Sequence, residues 1–218
     1  MSLEQQKVTR EWDAMAGVWD DLASGYRDWF LQQLWKETNY VTPEARANLV
    51  VFDFGCGTGL LVEKLRQQVA KVVAMDVAPT MIQYLNDKKR AGDWNNVDVY
   101  CAVAAHLDQA PSDVGTALEE LKGKVDIVAC SSVLSFVPEN DREATLQVLA
   151  SLLKPHTGTL IHTDWPMSES HPDGMTEESA KKMYQKGGLQ AQTTKVMSQV
   201  KLGGDHVGDV FVGVASRI

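Results

Sequence analysis

Two acids and three glycines carry the chemistry this chain offers. Asp53 ends an apolar, β-branched run (Leu49, Val50, Val51, Phe52) and is followed by Gly55, Gly57 and Gly59 at alternate positions. Leu60, Leu61, Val62, Leu65 and Val69 then recur at helical spacing. The pattern is a buried strand, a tight glycine turn and a helix, which lets a backbone approach a nucleotide-like ligand closely. A second apolar run, Val72 to Met75, ends in another acid, Asp76. A glycine turn after one strand and an acid at the tip of the next predict a ligand that carries a ribose.

The glycine spacing separates two classes of such ligand. A dinucleotide site uses G-x-G-x-x-G, with a helix amino terminus facing the pyrophosphate. Here the pattern is G-x-G-x-G, Leu60 stands where the third dinucleotide glycine falls, and Asp53 would repel a pyrophosphate. An acid at that place suits a ligand bearing an amino group and a positive sulfur. In these residues the sequence resembles the class I S-adenosylmethionine-dependent methyltransferases.

The resemblance extends over nearly the whole chain and implies a set of binding residues. Asp53, Gly55, Cys56, Gly57, Thr58 and Gly59 would hold the methionine end of S-adenosylmethionine. Asp76 would bind both ribose hydroxyls, with Val77 and Met81 beside it. After the third strand many members carry an acid for the adenine amino group. This chain reads Ala102-Val103-Ala104-Ala105-His106-Leu107-Asp108 instead, which leaves backbone groups near Ala105, or His106, for that edge. Ser131-Ser132-Val133-Leu134-Ser135-Phe136 matches the segment beneath the reacting sulfur, with Ser131, Ser132 and Leu134 as its site candidates. Residues 12–20, ending in Trp19-Asp20, resemble the W-D-x-x-A-x-x-Y-D opening of small-molecule methyltransferases, which places Trp19 near the sulfonium. The competing reading is that Trp12, Trp19, Trp29 and Trp35 only cement helices onto the sheet.

Other residues carry weaker expectations. Tyr26 and the Asp164-Trp165 pair, at the end of the fifth strand, are substrate-side candidates, and Asp164 could equally cap its loop. His106 and His162 are the histidines nearest a site, though each also fits a structural role. No catalytic residue is assigned, because methyl transfer needs alignment and water exclusion more than a general base. Cys56, Cys101 and Cys130 lack His-x-His or Cys-x-x-Cys partners, so they read as thiols in a reducing compartment rather than metal ligands.

These residues require a scaffold, and the apolar pattern supplies one. Strands at Val97–Cys101 and Val125–Cys130 and another near Thr159–Ile161 alternate with helices from Pro79, at about 112–121 and from Glu139 to Leu153. Two helices, near 4–15 and 24–38, precede the first strand. A loop over 164–178 leads to a helix at 177–186, and two strands, Gln192–Leu202 and Val207–Ser216, close the chain through a Gly203-Gly204-Asp205 turn. The expected fold is α/β: a Rossmann-like, doubly wound, seven-stranded and mostly parallel sheet with an antiparallel C-terminal hairpin strand. One domain is expected over 1–218, with 1–45 as a helical cover and 46–218 as the α/β core.

Bulk properties narrow the function further. A chain of 218 residues, 44% of them apolar, can bury a full core. A net charge of −8 leaves no basic face for nucleic acid. No apolar run approaches the roughly 20 residues that span a bilayer, and Met1 to Arg10 is polar, so a cytoplasmic protein without membrane partners is expected. The resulting expectation is in-line methyl transfer to a small-molecule acceptor. A non-catalytic S-adenosylmethionine-binding partner subunit is the alternative, and an NAD-type oxidoreductase fits the glycine spacing less well. Acceptor atom and oligomeric state are not readable from the sequence.

Overall fold

The computed structural model describes residues 2–172, 174–203 and 206–217. Two helices, α1 (Leu3–Met15) and α2 (Trp19–Glu37), and a short one, α3 (Pro43–Arg46), precede the sheet. The chain then alternates through β1 (Val50–Phe54), α4 (Leu60–Leu65), β2 (Lys71–Asp76), α5 (Pro79–Ala91), β3 (Val97–Cys101), α6 (Ser112–Leu121) and β4 (Ile127–Ser131). It continues with α7 (Glu139–Leu152), β5 (Thr159–Asp164) and α8 (Glu177–Lys186), and ends in β6 (Leu189–Gly203) and β7 (His206–Arg217). Short 3₁₀ turns at Ala104–Gln109 and Leu134–Phe136 follow β3 and β4.

The strand order is β3-β2-β1-β4-β5-β7-β6. The first five strands are parallel, and β7 runs antiparallel to both β5 and β6. This is the doubly wound, mostly parallel sheet with an antiparallel end that the sequence predicts. The order reverses between β1 and β4, so their carboxyl ends open a crevice where ligands bind in such sheets.

Both faces of the sheet are covered, which explains the nearly continuous apolar strands. Phe52, Phe54, Val73 and Met75 point to one face, against Leu118 of α6, Leu146 of α7 and Tyr184 of α8. Val51, Val72 and Ala74 point to the other, against Phe30 and Leu34 of α2, Leu65 of α4 and Leu85 of α5.

The helices that precede the sheet are tied onto it. Asp13 Oδ1 accepts a hydrogen bond from the Thr80 amide at 2.8 Å, fastening α1 to the first turn of α5. Lys195 of β6 pairs with Glu37 at the end of α2 at 2.6 Å.

The differences from the sequence reading lie at boundaries. α2 begins at Trp19 rather than near residue 24, and α3 occupies part of the expected polar approach, with Thr42 capping it and Pro43 in its first turn. β6 starts at Leu189, before the expected Gln192, and three register shifts interrupt its pairing with β7. Bulges of that kind blur the two-residue alternation on which a strand boundary is read. The expected hairpin tip at Gly204 and Asp205 lies outside the described residues. Among the described residues no helix is long and apolar enough to cross a membrane.

Candidate functional site

The site grows from the turn that follows β1. Gly55 has φ 72° and Gly57 φ 52°, both in the left-handed region. A Cβ on Gly55 would lie 2.1 Å from Val133 Cγ2, so the turn after β1 can lie against the segment after β4 only without a side chain. At Gly57 the neighbour is the Trp19 indole nitrogen, 3.2 Å from where a Cβ would be. The glycine turn is therefore closed from above by α2.

Asp76 holds this turn in place. Its Oδ2 accepts from the Gly57 amide at 2.8 Å and its Oδ1 from the Ala78 amide at 2.9 Å. Burial raises its pKa against the pull of these amides. Asp53 is buried in the sheet between Ala74 and Ala129, and its Oδ2 has no partner. Burial first, and then the charge of Asp76, push its pKa up to about 7.

Two adjoining cavities meet at this turn. The first, about 90 Å³, lies over β2 and β3 and is lined by Gly57, Asp76, Val77, Met81 and Ala102 to Ala104. The second, about 290 Å³, lies toward α2 and β5 and is lined by Tyr26, Asp53, Cys56, Asp164 and Trp165. Trp12, Trp19, Gly55, Ser131, Ser132 and Phe136 line both. Trp12 meets Trp19 and Phe136 edge to face, with ring centroids 5.1 and 5.0 Å apart.

Hydroxyls and one carboxylate organise the wall of the second cavity. Ser132 Oγ donates to Tyr26 Oη at 3.1 Å, and Tyr26 Oη donates to Thr163 Oγ1 at 2.7 Å. Removal of the phenol from water pushes its pKa up to about 12, against the effect of these bonds. Asp164 accepts from Ser135 and from the Trp165 amide, and its Oδ2 lies 3.2 Å from His162 Nε2. Tyr184 Oη sits 2.8 Å from His162 Nδ1. Burial works to raise the pKa of Asp164, but the His162 and Ser135 contacts outweigh it and hold the carboxyl below its ordinary range.

Five of the residues singled out from sequence line neither cavity. Thr58 donates instead to Asp20 of α2, and Gly59 caps α4. Leu134 is fully buried in the core. Ala105 follows the lining residue Ala104, and His106 turns toward Asp141, with Nε2 3.2 Å from Oδ1 but off line for a hydrogen bond. Val133 and Phe136, within the segment expected beneath the sulfur, line the site, and so does Trp12, which was not singled out. The signal for Trp12 was its place as an aromatic in the opening motif. Among the described residues no group of His, Cys, Asp or Glu is placed to hold a metal ion.

Comparison with known proteins bears on this geometry. Residues 51–156, which contain all but the first residue of β1, the glycine turn and β2 to β4, match the family model described as "Methyltransferase domain". Over these residues the chain is similar in sequence to a methyltransferase domain. Over 106 residues it is 33% identical to a chloroplastic magnesium protoporphyrin IX methyltransferase of Arabidopsis thaliana, covering 49% of this chain and 30% of that protein. Over 113 residues it is 36% identical to a ubiquinone biosynthesis O-methyltransferase of Xylella fastidiosa, covering 52% and 41% respectively. The chain thus spans less than half the length of these curated relatives. Among solved structures, a magnesium protoporphyrin IX methyltransferase from Synechocystis PCC 6803 with bound S-adenosylmethionine superposes with a TM-score of 0.70. It is 19% identical, and the match covers 100% of this chain and 99% of that one. At that identity the likeness speaks for the fold, and it extends on both sides of residues 51–156.

Proposed function

We propose that the domain transfers a methyl group from S-adenosylmethionine to a small-molecule acceptor. The observation that carries this reading is the partnerless, buried Oδ2 of Asp53 beside a glycine turn. An amino-acid ammonium would satisfy that oxygen, whereas a dinucleotide pyrophosphate would be repelled by it. The names of the relatives, both small-molecule methyltransferases, and the cofactor bound in the Synechocystis structure support the same reading.

The residues fit such a ligand in two parts. Asp76 binds the ribose hydroxyls, since each carboxylate oxygen keeps a lone pair beyond the one given to the Gly57 or Ala78 amide. Val77, Met81 and Ala102 to Ala104 enclose the base in the first cavity. Asp53 and the glycine turn would hold the methionine end, and Trp12 and Trp19, which line the second cavity, would offer their rings to the sulfonium.

The bound cofactor supplies a methyl carbon already activated by positive sulfur. The chain's own part is to align the acceptor and exclude water. Helices α1 and α2 close the top of both cavities as a cover, and the described residues from 46 onward form the α/β core beneath. The second cavity, next to the first and large enough for an organic acceptor, favours an enzyme over a non-catalytic binding subunit. The net charge of −8 favours a small molecule over nucleic acid, and three free cysteines favour a reducing setting such as the cytoplasm.

Calorimetric titration with S-adenosylmethionine, S-adenosylhomocysteine and NAD tests the proposal. Micromolar binding of the two adenosyl ligands and none of NAD is expected. Binding of NAD alone, or of none of the three, would overturn it.

A further inference from the structure

Ser132 stands where the two cavities meet, and its backbone is held at φ 55°, a left-handed conformation that disfavours residues with a side chain. Two contacts fix it there. Its amide donates to the Thr163 carbonyl at 2.8 Å, and its hydroxyl donates to Tyr26 at 3.1 Å. Tyr26 in turn donates to Thr163 Oγ1 at 2.7 Å, so the hydroxyl chain runs one way. A serine hydroxyl has a single proton. Ser132 has spent it on Tyr26 and offers only lone pairs to the cavity.

The rest of the second cavity bears on what would use those lone pairs. Trp12, Trp19, Phe136 and Trp165 give it aromatic walls. Asp164, held ionised by its partners, faces it and would repel an anion. Arg27, the cation among its described lining residues, is already bonded through Nε to Asp28 at 2.8 Å.

We propose that the second cavity binds a neutral aromatic acceptor that donates an O–H or N–H hydrogen bond to Ser132 Oγ, with Tyr26 as the positioning residue that sets the direction of that hydroxyl. The proposal rests on the methyltransferase reading above, because it gives the cofactor the first cavity and the Asp53 edge of the second, and the acceptor the rest of the second. It selects the hydroxyl or amine form of an acceptor over its already methylated form by one hydrogen bond.

The test uses the protein saturated with S-adenosylhomocysteine and three probes titrated calorimetrically: 1-naphthol, 1-methoxynaphthalene and 1-naphthoate. Wild type is expected to bind naphthol about tenfold more tightly than its methyl ether, the worth of one net hydrogen bond, and naphthoate least. Ser132→Gly removes the hydroxyl at a position whose φ suits glycine, so the fold is kept and the naphthol preference should vanish. Tyr26→Phe frees the Ser132 proton, so the ether should gain on naphthol, a change of ratio that loss of packing alone does not produce. Equal binding of naphthol and ether in wild type, an unchanged ratio in Ser132→Gly, tightest binding of naphthoate, or no binding of any probe would each overturn the proposal. Absence of S-adenosylhomocysteine binding at the outset would instead sink the cofactor reading, so the two failures are distinguishable.

Discussion

Asp164 accepts hydrogen bonds from both the amide and the hydroxyl of Ser135, at 2.9 and 2.6 Å, and so ties the end of β5 to the turn after β4. The Trp165 amide binds the same carboxylate at 3.0 Å, and His162 Nε2 lies 3.2 Å away. With these four donors the lone pairs of Asp164 are taken up by the protein. A position at a strand end suggests contact with substrate. The geometry instead makes Asp164 a clamp on the turn that carries Phe136, a wall of both cavities.

Breaking that clamp should be costly and pH-dependent. Asp164→Ala leaves Ser135 and His162 without their partner, and about 3 kcal/mol of stability should be lost at pH 7. The folded-state pKa of Asp164 is depressed, so its contribution is complete above the ordinary carboxylate range and fades as pH falls through the lower folded value. Urea unfolding from pH 7 down to pH 3 should show the gap between wild type and Asp164→Ala narrowing below about pH 4. A gap of constant width would refute the assignment.

Asp76 joins the glycine turn to the second strand, and its removal should be felt in ligand affinity more than in folding. Asp76→Ala frees the Gly57 amide, which lines the cavity, and the Ala78 amide, and deletes the ribose acceptor. The affinity for S-adenosylhomocysteine should drop about 100-fold or more, equivalent to two charge-assisted hydrogen bonds. Asp76→Asn, which keeps one acceptor oxygen, should fall between the two. Calorimetry that found Asp76→Ala within threefold of wild type would remove Asp76 from the ribose site.

The parts of the site that follow from local chain pattern were legible in the sequence. An apolar run ending in an acid and followed by alternating glycines has few structural solutions, so β1, its turn and Asp76 were found together. Residues whose placement depends on distant neighbours were not. His106 could only be placed near the third strand end, and its turn toward Asp141 depends on where α7 packs. Thr58 belongs to the glycine motif by position, yet its hydroxyl is claimed by Asp20 from α2. Trp12 and Phe136 lie far apart in sequence, and only the docking of α1 makes them neighbours. The start of β6 was missed because bulges there break the alternation that marks a strand.

Gly55 admits a local test of close approach. Alanine there must adopt φ 72° and bring its Cβ against Val133. Left-handed strain alone costs about 1 kcal/mol, and overpacking adds about 1–3 kcal/mol more. Gly55→Ala should therefore lower the melting temperature by several degrees (on the order of 2–4 °C per kcal/mol for a chain of this size) and weaken S-adenosylhomocysteine binding. Adding Val133→Ala removes the clash but not the strain, so the double variant should recover part of the loss. Full recovery would mean that the backbone conformation is not strained, and no recovery would mean that Val133 is not the obstacle.

Asp53 gives the most distinctive pH signature, because its ordinary value of 3.8 is raised to about 7. The native protein then binds more protons than the unfolded chain between about pH 4 and 7, so stability without ligand should fall as pH rises through that window. At roughly 1.4 kcal/mol per pH unit, the ionised, partnerless carboxylate costs on the order of 4 kcal/mol by pH 8. Asp53→Asn cannot ionise, so it should match wild type near pH 4 and be the more stable of the two at pH 8 when ligand is absent. A cofactor ammonium reverses the balance by stabilising the charged form. Binding of S-adenosylmethionine at pH 6 should release close to one proton, and at pH 8.5 almost none, as read by calorimetry in buffers of different ionisation enthalpy. Asp53→Asn should abolish that release and weaken binding at pH 8 by about 100-fold, the loss of one buried charge pair. Proton release that persisted in Asp53→Asn would assign the titrating group elsewhere and leave the orphaned oxygen without a role in the cofactor site.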